Sequence, residues 1–207
     1  MLRDVELAEA VYLEEDKTYT IDLDNHTLSS TGGYALTIWG GKVTIKDGSI
    51  TGDFNCIYID ENALVTLDAL TVNADFIAIQ NAGTLSILSG DYSAGEVAIY
   101  GQWGTVTITT GHFSCWGDFE CGCLFEEDGA QIVLAKGSVA DVENWLNFAM
   151  DVTISEGGSG IEQLRITNYK LQISGYYSII GKKLPKEPEK GIYIILYETG
   201  KALKVMK

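Results

Sequence analysis

"GGKVTIKDGSITG", residues 40–52, alternates apolar and polar residues as far as Lys46, turns at Asp47-Gly48, and sets Ile50 between small polar neighbours. Alternation with a period of two marks a strand with one buried face. Looser copies follow as "NALVTLDALTVNA" (62–74), "AGTLSILSGDYSA" (82–94) and "WGTVTITTGHFSC" (103–115). No acid, base or nucleophile keeps a constant place across the copies. The phrase therefore describes architecture, and function has to be sought where the copies differ.

Aligning the copies puts Leu23, Ile45, Leu67, Ile87, Ile108, Leu134 and Ile154 in one column, at spacings of 22, 22, 20, 21, 26 and 20. A second column runs through Ile38, Ile59, Ile79, Ile99, Phe125 and Phe148, and it contains the same 26-residue step. One insertion near residues 112–124 accounts for both. A weaker third column is Ile50, Leu70 or Val72, Tyr92, Phe113 and Val139. Short strands recurring about every 21 residues describe a solenoid in which each coil buries its apolar face only against its neighbours. The expectation is an all-β chain: a single right-handed parallel β-helix of about seven coils over residues 1–180, with an N-terminal entry cap. Residues 181–207 form a basic linker and strand pair around Glu198-Thr199-Gly200, which closes the solenoid or pairs with another chain.

The stretch "TYTIDLDNHTLSSTGGYALTIWGGKVTIKDGSITG" (18–52) resembles the opening coils of pectin-lyase-like parallel β-helix proteins, especially surface-exposed or phage-borne members. The resemblance covers roughly residues 10–180 and implies the fold. It leaves activity open, because that superfamily includes polysaccharide lyases, glycosidases, phage tailspikes and non-catalytic adhesins. Phage fibres of this kind are commonly trimeric, so the resemblance also implies a homotrimer.

Composition narrows the partners. The chain has 207 residues, 46% hydrophobic and 21% charged, with two prolines and 23 glycines, as expected of one globular domain rich in tight turns. Its net charge of −15 argues against nucleic acid and anionic lipid, which need clustered Lys and Arg. Residues 165–207 hold nine of the 14 basic residues and three acidic ones, a balance of +6 that leaves −21 on the first 164. No apolar run is long enough to cross a membrane as a helix, and the opening "MLRDVELAEAVYL" shows no secretory signal. Display on a virion or a cell surface is the expected location.

Candidate chemistry lies on two parts of the repeat. If the second column points inward, Trp39, Asp60, Gln80 and Tyr100 point outward in one row, with Thr37, Tyr58, Ala78 and Ala98 beside it. Aromatic rings stack on the apolar faces of sugars while carboxylates and amides take their hydroxyls, so the row suits a glycan groove. The enlarged coil "HFSCWGDFECGCLFEEDG" (112–129) adds Trp116, Asp118 and Glu120, and Trp103 lies just before it. Its acids Asp118, Glu120, Glu126, Glu127 and Asp128 offer a carboxylate pair for glycoside hydrolysis, a Ca²⁺ site or plain solubility, with no spacing that separates the three.

Resemblance to pectate lyases would imply a basic clamp beside the groove, yet the only arginines are Arg3 and Arg165. His26 and His112 give little material for histidine chemistry. The outward row Asp22, Thr44, Thr66, Ser86, Thr107, Val133, Thr153 has no matching second rank in Lys46, Asp68, Leu88, Thr109, Ala135 and Ser155, and strand propensity explains it. Cys115, Cys121 and Cys123 suggest a disulfide or, with less support, a metal site. Cys56 lies three coils away, roughly 14 Å at about 4.8 Å per coil, and is expected to be a free thiol. The expectation is a non-enzymatic structural or recognition protein that binds glycans, needing no metal or cofactor. The alternative is a polysaccharide-degrading enzyme working through the acids at 118–128.

Overall fold

The computed structural model describes residues 1–117, 122–127, 129–147, 149–156, 173–178, 182–186, 188, 192–197 and 202–206. These residues form strands and turns with no helix, and most of the strands stack in parallel as a solenoid of about six turns. Each complete turn contributes to three ranks. The first rank holds β3 (Thr18–Asp22), the leading halves of β6 (Gly41–Gly52) and β8 (Ala63–Ala74), then β10 (Thr84–Ile87), β13 (Thr105–Ile108) and β16 (Gln131–Leu134). The second holds β1 (Val5–Leu7), β4 (Thr27–Ser30), the trailing halves of β6 and β8, β11 (Gly90–Ala94) and β14 (Gly111–Cys115). The third is a six-stranded sheet of β2 (Val11–Leu13), β5 (Leu36–Ile38), β7 (Asn55–Ile59), β9 (Ile77–Asn81), β12 (Val97–Gly101) and β15 (Leu124–Glu126).

The first column is buried as expected. Leu23, Ile45, Leu67, Ile87, Ile108, Leu134 and Ile154 are each at most 3% exposed. In the third column Ile50, Val72, Tyr92 and Phe113 lie in register, which selects Val72 over Leu70, although both are buried. The Tyr92 and Phe113 rings stack inside the core at 5.2 Å. The bend between the first two ranks is taken in the left-handed region by Asp47 (φ 56°) and Ala69 (φ 47°). Ala69 bears the steric cost that a Cβ meets there.

Two features depart from the expected column plan. Ile154 arrives on β18 (Ala149–Glu156), which pairs antiparallel with β14 and with β17 (Ser138–Asn147), so the seventh repeat is a hairpin strand rather than a coil. Thr153 consequently faces His112 instead of continuing the threonine row. At the other end of the column Thr44 pairs with Thr20 and Ile45 with Ile21, while Asp22 pairs with Lys46, so Leu23, although buried, lies just past β3 and outside the register of that column. The second column also changes membership. Ile38 is in register with Ile59, but Ile59 is followed by Asn81 and Gly101; Ile79 and Ile99 belong with Leu36, Ile57 and Leu124. Asn81 is buried, its Nδ2 donating to the carbonyls of Gly83 (3.1 Å) and Trp103 (3.4 Å). Because residues 79 and 81 have the same facing, an apolar alignment takes Ile79 and passes over the buried amide. Phe125 faces outward, with Leu124 and Glu126 buried on either side. Phe148 and the side chain of Val139 lie outside the described residues.

Residues Tyr169–Lys207 make a second compact unit. It is an antiparallel sheet ordered β20 (Lys183–Leu184), β19 (Ile173–Ser178), β21 (Ile192–Tyr197), β22 (Ala202–Met206). β21 and β22 pair antiparallel, as expected of the two strand-like runs near the end of the chain.

Candidate functional site

Alternation in β7 turns Ile57 and Ile59 into the core and leaves Tyr58 on the outer surface of the third rank. Register carries that outer row through Thr37, Tyr58, Gln80, Tyr100 and Phe125, one side chain per turn at about 4.8 Å. Gln80 and Tyr100 therefore lie in one row, as the repeat suggests, but Tyr58 belongs with them. Trp39 and Asp60 stand two residues further on, at the corner where each turn leaves the sheet. Ala78 and Ala98 are not beside the row; both are wholly buried.

The row is held by side chains that the repeat does not contain. Tyr34, just before β5, lays its ring 5.6 Å from Tyr58, and Trp39 meets the same ring edge-on at 6.1 Å. The Tyr34 hydroxyl donates to Gln80 Oε1, and Gln80 Nε2 donates to Gln102 Oε1 at 2.9 Å. The Tyr58 hydroxyl reaches Asp60 Oδ2 at 3.4 Å, and that of Tyr100 donates to Glu127 Oε1. Phe125 stacks on Tyr100 at 5.7 Å. Burial raises the Tyr34 phenol, and burial together with the Asp60 charge raises that of Tyr58, so both remain protonated donors. Trp39 is 44% exposed and Trp103, at the same corner, 55%. The arrangement is a rigid ladder of rings and amides with two exposed indoles at one rim.

The other sequence candidates are spread more widely. Trp116 is 50% exposed and sits on the opposite rim of the sheet, where the second rank turns into the third. Phe54 and Phe76 stack face to face on that rim at 4.9 Å, a pair the repeat phrases did not single out. Asp118, Glu120 and Asp128 lie outside the described residues. Of the acids near them, Glu126 is buried and its Oε2 accepts the Ile132 N–H at 2.8 Å, an anchoring role for the turn. Glu127 is on the ladder. His26 and His112 belong to the second rank, 3.3 Å from Asp4 and 3.8 Å from Asp91. Among the described residues no three His, Cys, Asp or Glu are grouped to hold a metal ion.

Cys56, Ala78, Ala98 and Cys123 occupy successive turns at one buried position, a column that accepts only small side chains. Cys56 is a free thiol, with Sγ 3.2 Å from the Asn73 carbonyl. Cys115 is buried, and Cys121 lies outside the described residues.

Comparison with family models, with curated proteins and with solved structures finds no match to this chain. The fold and the ladder together define a parallel β-solenoid protein, compatible with the right-handed parallel β-helix superfamily, that carries an aromatic and amide row on one of its three ranks. That fold is consistent with structural and with enzymatic roles.

Proposed function

We propose that the protein is a non-enzymatic recognition module that binds glycans along its third rank, displayed on a virion fibre or a cell surface. The observation that carries this reading is the ladder itself: Tyr58, Tyr100 and Phe125 in register, flanked by Tyr34 and the exposed ring of Trp39, with Gln80, Gln102, Asp60 and Glu127 among them. A sugar face needs an apolar plate, and its hydroxyls need fixed acceptors. Both are present in a row whose spacing repeats along the solenoid axis, which suits an extended oligosaccharide. The side chains are already locked by packing and hydrogen bonds, so binding would order little.

Titration calorimetry against a panel of soluble oligosaccharides tests the reading. Trp39→Ala should weaken binding of the best ligand about tenfold or more, in line with losing an aromatic anchor, while the exposed position leaves folding intact. Unchanged affinity would remove the ladder from the site. Release of reducing ends in the same incubations would overturn the non-enzymatic part. Display in a homotrimer belongs to the same proposal, and light scattering reads it directly.

A further inference from the structure

We infer that the glycan held by this face carries protonated amino groups, as a glucosamine polymer does, and is not a uronate or another acidic sugar. The inference rests on the glycan reading above and adds the charge of the ligand.

Its first support is the sign of the surroundings. Carboxylates border the outer row on both rims: Asp53, Asp75 and Glu96 where the turns enter the sheet, and Asp60, Glu61 and Glu127 where they leave it. No Lys or Arg occurs in residues 31–40, 53–62, 75–83, 95–104, 116–117, 122–127 or 129–130, the described segments of the sheet and its rims from β5 onward. A uronate on the ladder would meet like charges within a Debye length of about 8–10 Å, and the nearest cations, Lys17 and Lys42, stand past the Trp39 corner, Lys17 already paired with Glu14. An ammonium group would meet mainly opposite charges.

The second support is the balance of donors and acceptors. The hydroxyls of Tyr34, Tyr58 and Tyr100 are committed to Gln80, Asp60 and Glu127, and the Gln80 amide donates to Gln102. What Asp60 and Glu127 still offer a ligand is acceptor capacity, since an ionised carboxylate cannot donate. Ammonium supplies three donors. The exposed rings add to this, because an ammonium over the face of a Trp or Tyr is attracted by the ring quadrupole. Carboxylates, committed phenols and exposed indoles thus favour the same ligand.

Calorimetry at about pH 5.5, where amino groups are protonated and Asp and Glu are ionised, would compare matched hexamers of glucosamine, N-acetylglucosamine and galacturonate, with hexalysine alongside. The glucosamine hexamer should bind at least about tenfold tighter than its acetylated counterpart, lose that margin as salt is raised, and outcompete galacturonate completely. Asp60→Asn with Glu127→Gln should shrink the preference for the amino over the acetylated hexamer at least about threefold, as expected when two opposing charges are removed. Equal binding of the acetylated hexamer or of galacturonate would overturn the charge inference and leave the glycan reading standing. If hexalysine alone bound, or no saccharide did, both would fail.

Discussion

At the scale of single residues, the buried thiol of Cys56 gives the molecule an alkaline weakness. Burial, with a smaller contribution from the Asp75 charge, pushes it up to about 12 from an ordinary value of 9.0. Between those two values the unfolded chain has released the proton and the native one still holds it. Stability therefore falls as pH rises through this window, by about 1.4 kcal/mol per pH unit for one group. Burial of the Tyr92 hydroxyl acts in the same direction. Cys56→Ala should fold, because alanine stands at that position in the next two turns, and it should flatten the loss. Denaturant unfolding at about pH 8 and pH 10.5 reads the difference; parallel declines in parent and variant would show that the thiol contributes nothing.

Among the elements, the corners are less forgiving than the strands. Gly95 stands where the turns below carry Asp53 and Asp75, yet a Cβ built on it would lie 1.9 Å from the Asp75 carbonyl oxygen. Gly95→Ala must push two corners apart and is expected to cost about 3 kcal/mol, the upper end of overpacking losses, seen as a lower thermal midpoint; an unshifted midpoint would mean the corner yields freely. The strands themselves were legible from the repeat. Ile45, Leu67, Ile87, Ile108 and Leu134 could be placed because an apolar residue occupies every inward site of that column, whereas Leu23 and Ile154 are buried outside its register. The third rank was legible only in part, since its inward column passes from Ile59 to Asn81, Gly101 and Glu126, and hydrophobic alignment cannot follow a column once polar residues enter it. The same slip hides the true row: an apolar alignment places Tyr58 beside Gln80 and Tyr100 instead of among them, and turns Phe125 inward. Tyr34 and Gln102 could not be found this way at all, because they sit at corners, where no alternation marks the facing.

For the whole molecule, charge is the dominant long-range term. A chain at −15, with −21 in its first 164 residues, repels itself when compact. Added sodium chloride should raise the thermal midpoint by screening this repulsion before any specific ion effect appears; a midpoint that stays flat or falls between low and physiological salt would show that local pairs such as Lys46 with Asp22 and Asp47 already neutralise it. The hairpin of β17 and β18 has a different kind of consequence. A parallel stack is a template: its last edge can accept another identical turn, and Val5, Val11, Tyr19 and Ile21 in the first strands are only half-buried. All three ranks are wound from one strand of chain, so a further turn must extend them together. By laying an antiparallel strand on β14, the hairpin takes one rank out of step and stops templated growth along that rank, giving an otherwise repetitive stack of turns a direction.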